Sequence, residues 1–270
     1  MTPIQAIILG FVQGATEFLP ISSTAHLVLV PWFFGWTDPG LGFDIALHLG
    51  TLVSLLVYFR SDWFDLLGGG IDLLRGRREN PNSKLMLFII VATTPALIAG
   101  ALLNDFADST LRKPPVIASA LIVLALVLVV AERLGKRQIK LDQMTLGDAI
   151  AVGCAQAVAI IPGVSRSGVT ITAALFRGMT REAAARFSFL LSTPIIGAAV
   201  SKAVFDGVRH GFPSVAMSSA IMGIVVSGVV GYLSIAFLMR YLATHNTYVF
   251  VAYRIALGII VLAAYFKGMI

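Results

Sequence analysis

Long apolar runs dominate the chain, and their lengths set the first expectation. Six of them reach about 20 residues, enough for a helix to cross a hydrocarbon core. They lie at about 41–59, 84–103, 115–135, 183–203, 216–239 and 249–267. The clearest runs from Val116 to Ala131 with Ser119 as its one polar side chain. Pro114-Pro115 marks its start, since proline suits the first helical turn. Two further stretches, 4–34 and 146–176, are apolar but broken near the middle. The first break carries Glu17, Pro20, Ser22, Ser23, Thr24 and His26; the second carries Gln156, Pro162, Gly163, Ser165, Arg166, Ser167 and Thr170. Irregular backbone at membrane depth is tolerated only where protein or a cavity covers it. Each stretch therefore predicts a re-entrant helical hairpin with its tip pointing inward.

The two breaks resemble each other. Gly10-Phe-Val-Gln13 aligns with Gly153-Cys-Ala-Gln156 at an offset of 143 residues, which also puts Ser22 on Ser165 and Thr24 on Ser167. This internal repeat predicts two halves, about 1–140 and 141–270, each with one hairpin followed by three spans. Three is odd, so the second half is inverted relative to the first, as in many transporters. The expected fold is an all-α polytopic membrane protein: six transmembrane helices plus two re-entrant helical hairpins, forming a single membrane domain over 1–270. The start of the chain has no basic segment ahead of its apolar run, so it is not read as a cleaved signal peptide.

Composition excludes the main alternatives. The chain is 57% hydrophobic and 13% charged, about half the charge of a soluble domain. One cysteine, Cys154, rules out a disulfide scaffold. The net charge of +6 is not a nucleic-acid signature, because the basic residues lie between apolar runs without interleaved aromatics. Those residues instead suggest orientation. With the N-terminus and first hairpin outside, thirteen lysines and arginines fall inside, among them Arg60, Arg75, Arg77, Arg78, Arg133, Arg137 and Arg181, against five outside.

The candidate chemistry sits in the breaks. Gln13 and Glu17 share a helix face, Pro20 ends that helix, and Ser22, Ser23 or Thr24 can cap the next. His26 follows Ser23 by three residues, which can bring a hydroxyl and an imidazole within hydrogen-bond reach. A carboxylate at this depth needs a partner, and His26 is an available one for Glu17. In the second break, Pro162-Gly163-Val-Ser165-Arg166-Ser167-Gly168-Val-Thr170 combines a tight turn, hydroxyls, a helix N-terminus and an arginine, a phosphate-binding combination. Asp44 and His48 read as an ordinary paired helix face. Arg254 reads as a ligand of hairpin carbonyls, and Gly68-Gly69-Gly70 with the arginines after it as a flexible inside loop facing lipid headgroups. Together these features predict chemistry on a phosphate borne by a lipid.

The two motifs resemble the bacterial undecaprenyl-diphosphatase family of the bacitracin-resistance type. Glu17, Pro20, Ser22, Ser23, Thr24 and His26 match its first motif, and Pro162 through Thr170 match its second without a break. Phe187-Ser-Phe-Leu-Leu is also similar. The resemblance implies hydrolysis of undecaprenyl diphosphate to undecaprenyl phosphate and inorganic phosphate. This recycles the lipid carrier for peptidoglycan, at a site opening to the outer face of the cytoplasmic membrane. It also implies a divalent cation, magnesium or calcium; many relatives carry a second glutamate where this chain has Gln13, so no metal ligands are assigned. The expected catalytic residues are Glu17, Ser23, His26 and Arg166, with Gln13, Ser22, Thr24, Ser165, Ser167 and Thr170 binding phosphate oxygens or ordering the loops. Ser23 is the expected nucleophile, with Ser22 and water as alternatives, and His26 supported by Glu17 handles the proton. The expected partners are the polyprenyl diphosphate substrate and membrane lipids, with no nucleic acid; a homodimer is left open. A transporter or flippase of the lipid carrier or another anion is the alternative function. A phosphohistidine-type lipid phosphatase is excluded because Thr172 stands where its histidine belongs.

Overall fold

The computed structural model describes residues 1–77, 79–210 and 215–268. Arg78, one of the basic residues counted for orientation, lies outside the described residues. Each broken stretch forms two short helices. Helix α1 (Pro3–Glu17) opens on a capping box, in which Gln5 N–H donates to Thr2 Oγ1 and Thr2 N–H donates to Gln5 Oε1. After the turn at Pro20, α2 (Ser23–Phe33) runs on to the aromatic segment at Trp32 and Phe33. The second stretch repeats the plan. Helix α7 (Leu146–Ala157) is boxed by Thr145 and Asp148, a 3₁₀ turn Val158–Ile160 follows, and α8 (Arg166–Phe176) completes the hairpin. The second helix of each hairpin starts from a serine in left-handed backbone, Ser22 at φ 74° and Ser165 at φ 70°. In each case the hydroxyl accepts from the third backbone N–H of the helix: Ala25 for Ser22 and Gly168 for Ser165. A β-substituted residue held at positive φ stores strain, and here it recurs at the repeat offset.

The spans are α3 (Leu41–Tyr58), α5 (Pro81–Phe106), α6 (Pro114–Leu134), α9 (Arg181–His210), α10 (Met217–Thr244) and α11 (Tyr248–Phe266). Among the described residues five helices are long and apolar enough to cross a membrane, or six when α3 and its neighbour are taken as one bent span. That neighbour, α4 (Arg60–Leu74), corrects one expectation. The glycine triplet at 68–70 is not a flexible loop; it lies within α4, which leaves α3 at an 80° bend. Gly69 is where α4 meets α5: Ser83 Oγ donates to Gly69 O at 2.9 Å, and a Cβ at Gly69 would meet the backbone of Asn82 at about 2.5 Å. Gly69 serves helix packing rather than chain mobility.

Packing follows the repeat. Helix α1 lies along α10, the middle span of the other half, and α7 lies along α5, its counterpart. Both contacts need a missing side chain. A Cβ at Gly14 would stand 2.6 Å from Ser227 O, and one at Gly153 would stand 2.6 Å from Ala92 Cα. Helices α3 and α9 pack on each other, as do α6 and α11, so each hairpin is enclosed by spans of both halves. One end of the bundle is tied by buried Glu132. It accepts from Arg137 at 2.9 Å, from Arg181 Nε at 2.7 Å and from Thr247 at 2.9 Å, joining α6, α9 and the start of α11.

Candidate functional site

The two hairpin tips meet on one carboxylate. Glu17, at the end of α1, keeps only 4% of its side chain exposed. Its Oε1 accepts from Arg166 Nη2 at 2.7 Å, an ion pair spanning the two hairpins. Its Oε2 accepts from Gln13 Nε2 at 3.1 Å and from the Ser23 hydroxyl. The i, i+4 spacing brings Gln13 to Glu17, and the break at Pro20 turns Ser23 back toward the helix it follows. A second bridge joins the tips, where Ser167 Oγ donates to Leu19 O at 3.1 Å.

The histidine beside Glu17 is not His26. His48 of α3 places Nε2 3.4 Å from Glu17 Oε2, while its Nδ1–H donates to Asp44 O at 2.7 Å. Asp44 itself pairs with Arg112 at 3.3 Å, so the expected Asp44–His48 side-chain pair gives way to two separate ion pairs. His26 turns the other way. Its Nδ1–H donates to Ser22 O at 2.7 Å, which leaves Nε2 to accept from the Tyr253 hydroxyl at 2.6 Å. Helix geometry explains this outcome: a histidine four residues after Ser22 reaches that carbonyl more readily than the carboxylate on the preceding helix.

Among the described residues Arg254 is the most buried cation, and it carries out the role expected of it on a larger scale. Its guanidinium donates to Pro20 O in the first tip at 3.2 Å and to Gly163 O and Val164 O in the second, both at 3.0 Å. It also reaches Leu121 O and Ala120 O of α6. Here α11 fixes both turns at once, using the fork of donors that only arginine offers.

Between the tips lies a cavity of about 240 Å³. Glu17, Ser22, Ser23, Thr24, His48, Gln156, Ser165 and Arg166 give it a polar wall. The other wall is apolar, with Ile160, Ile161, Ile195 and Ile196. Of the expected site residues, Glu17, Ser22, Ser23, Thr24, Ser165 and Arg166 therefore share one space. Gln13, His26, Ser167 and Thr170 lie behind it. Thr170, for example, is spent on Ser188 Oγ at 2.6 Å and on Arg166 O at 2.8 Å. Sequence reasoning missed two residues of this wall. Gln156 is the repeat mate of Gln13, a usable signal. His48 lies 22 residues beyond the motif on a separate span, where only its polarity marks it.

The chemistry open to this arrangement is anion handling. Arg166 Nη1 is buried with no hydrogen-bond partner, an uncompensated donor on a cation that lines the cavity. A carboxylate within reach of a serine hydroxyl completes a nucleophile and base. A resident divalent cation fits less well. Among the described residues no cluster of three histidine, cysteine, aspartate or glutamate side chains is placed to hold a metal ion. Both oxygens of Glu17 already accept from its neighbours.

Residues 6–260 match the model of a protein family described as the bacitracin resistance protein BacA. The undecaprenyl-diphosphatase of Gemmatimonas aurantiaca is 48% identical over 265 residues, which is 97% of this chain and 98% of that protein. The undecaprenyl-diphosphatase of Geobacter metallireducens is 45% identical over 259 residues, 96% of each chain. That of Desulforudis audaxviator is 48% identical over 263 residues, 97% of each chain.

Proposed function

Because the chain belongs to the bacitracin resistance protein BacA family, whose curated relatives are undecaprenyl-diphosphatases, we propose that it hydrolyses undecaprenyl diphosphate at the cavity between its hairpin tips. The products are undecaprenyl phosphate and inorganic phosphate, and the reaction returns the lipid carrier to cell-wall polymer synthesis. The observation that carries the placement is Arg166: a largely enclosed cation in a membrane bundle, paired through one nitrogen with Glu17 and buried and unpartnered at the other. Such a donor is costly in a membrane unless an anion meets it.

The diphosphate enters with its terminal phosphoryl group against Arg166 and the α8 N-terminus. The polyprenyl chain leaves along the apolar wall at Ile195 and Ile196. Ser23 attacks the terminal phosphorus and Glu17 takes its proton, consistent with the hydrogen bond between them. Arg166 and the N–H groups following Ser165 hold the charge that develops on the phosphoryl oxygens. Ser22, Thr24 and Ser165 line the space that the phosphate oxygens occupy. Gln13, Ser167 and Thr170 act from behind by fixing Glu17 and the second tip. His26 holds the Ser22 turn through its carbonyl. No step is routed through a divalent cation; a cation carried on the diphosphate would belong to the substrate. The family resemblance implies a site that opens to the outer face of the membrane; the excess of basic residues bears only on the orientation of the spans.

Phosphate release from undecaprenyl diphosphate by the purified protein in detergent tests this reading, beside Arg166→Ala and Ser23→Ala. Release by the wild type that collapses in both variants supports it. Loss only in Arg166→Ala assigns the attack to water or Ser22. No release from folded wild type, with or without magnesium or calcium, refutes it and makes lipid transport the next assay.

A further inference from the structure

The cavity holds a titratable group that the reaction above does not use. His48 lines it, keeps 22% of its side chain exposed and faces the same Glu17 oxygen that accepts from Ser23. Its tautomer is fixed. A backbone carbonyl only accepts, so the bond to Asp44 O keeps a hydrogen on Nδ1. Nε2 is then the exchangeable position, and it stands 3.4 Å from a carboxylate oxygen. Two bare lone pairs facing each other at this range repel, so the geometry favours a proton on Nε2. The charged and titratable groups around His48 are Glu17 from α1, with Arg166 of α8 beyond it, and Asp44 on its own helix, with Arg112 beyond that. His26, the histidine of the sequence motif, has both nitrogens engaged with Ser22 and Tyr253 and does not line the cavity.

We propose that His48 is the acid and base that serves the two phosphate groups, working in tandem with Glu17, which serves Ser23. The proposal rests on the cavity being the phosphatase site. In the first half, Ser23 Oγ forms a bond to the terminal phosphorus and its proton passes to Glu17. The phosphorus–bridging oxygen bond breaks, and Nε2–H of His48 gives its proton to the departing undecaprenyl phosphate. The site then holds phosphoserine, neutral Glu17 and neutral His48. In the second half, water attacks the phosphoserine and its proton goes to His48 Nε2. The serine oxygen leaves as the hydroxyl, taking back the proton from Glu17. Inorganic phosphate departs, and both side chains are returned to their starting states. One water is consumed, one phosphoanhydride bond is broken, and no other reactant is required.

The test compares His48→Gln, His48→Ala and Arg166→Ala with the wild type, using undecaprenyl diphosphate in detergent across the pH range, with folding followed by size-exclusion chromatography. His48→Gln is expected to lose about 100-fold in kcat, the usual size of a general acid–base contribution, with KM within about threefold. The wild-type rate is expected to fall on the alkaline side as Nε2 loses its proton, and His48→Gln to lack that limb. His48→Ala is expected to regain activity with added imidazole, which a purely structural role would not allow. Wild-type kcat and an unchanged alkaline limb in His48→Gln, with Arg166→Ala inactive, would overturn the role of His48 and leave the cavity reading standing. Full activity in Arg166→Ala as well would overturn the cavity reading itself.

Discussion

Arg254 touches no substrate in this account, yet its loss is expected to be among the most damaging single changes. It donates five hydrogen bonds of 3.0 to 3.4 Å, all to backbone carbonyls, three of them in the two tips. Methionine keeps much of the volume and removes every donor. Ala120 O and Leu121 O keep their helical N–H donors within α6, but the three tip carbonyls lose theirs; at about 1 kcal/mol each, the low end of the usual range, that costs about 3 kcal/mol. Removing a buried charge recovers part of its desolvation cost, which brings the net loss to about 2–3 kcal/mol. Whole-domain stabilities are about 5–15 kcal/mol, so the loss is a large share. Arg254→Met is expected to unfold at clearly lower temperature in detergent and to release phosphate at least about 100-fold more slowly per folded molecule, because the tips that carry Ser23 and Arg166 are no longer held in register. Arg254→Lys keeps the charge but loses the planar fork, and is expected to fall between the two. Thermal unfolding followed by size-exclusion chromatography, with the phosphate assay on the surviving fraction, reads both effects. A melting temperature and rate matching the wild type in Arg254→Met would refute the idea that α11 clamps the two turns.

Further outcomes follow from the packing and the site. Glu17→Gln removes the base and leaves Arg166 without its ion pair; kcat should fall by at least about 1000-fold while the protein remains helical by circular dichroism. Gly14→Leu and Gly153→Leu should each destabilise by more than about 2 kcal/mol, since even a Cβ would stand 2.6 Å from the facing helix, and thermal melts should show it. Glu132→Ala strips the shared partner from Arg137, Arg181 and Thr247; it should cost about 3 kcal/mol of stability, read as a lower melting temperature, yet leave the phosphate-release rate of folded molecules within a few-fold of wild type.

Much of the molecule was legible in sequence because the membrane restricts the choices. An apolar run of about 20 residues reads first as a span, and a polar break inside one as a covered turn. The repeat offset that paired Ser22 with Ser165 returns as two serines with nearly equal positive φ. Helix α4 escaped because its glycine triplet read as loop chemistry, while Gly69 serves close approach to α5, a tertiary fact. The ion pair of Glu17 with Arg166 joins residues 149 apart and was visible only as two expensive charges, one of which spacing paired with His26 instead. His48 escaped for a related reason. Spacing along one helix suggested Asp44 as its partner, but the side chains diverge, one toward Arg112 and the other toward Glu17. Local spacing predicts which residues share a face, not what that face meets.

The central claim is that the two hairpins form one phosphatase site. A double-mutant cycle of Glu17→Gln and Arg166→Gln, read as kcat/KM for phosphate release from undecaprenyl diphosphate, tests it most directly. If the pair acts as one unit, the double variant will be about as slow as the slower single variant, because breaking either half already disables the site. Two losses that multiply, or a wild type that releases no phosphate, would contradict the account.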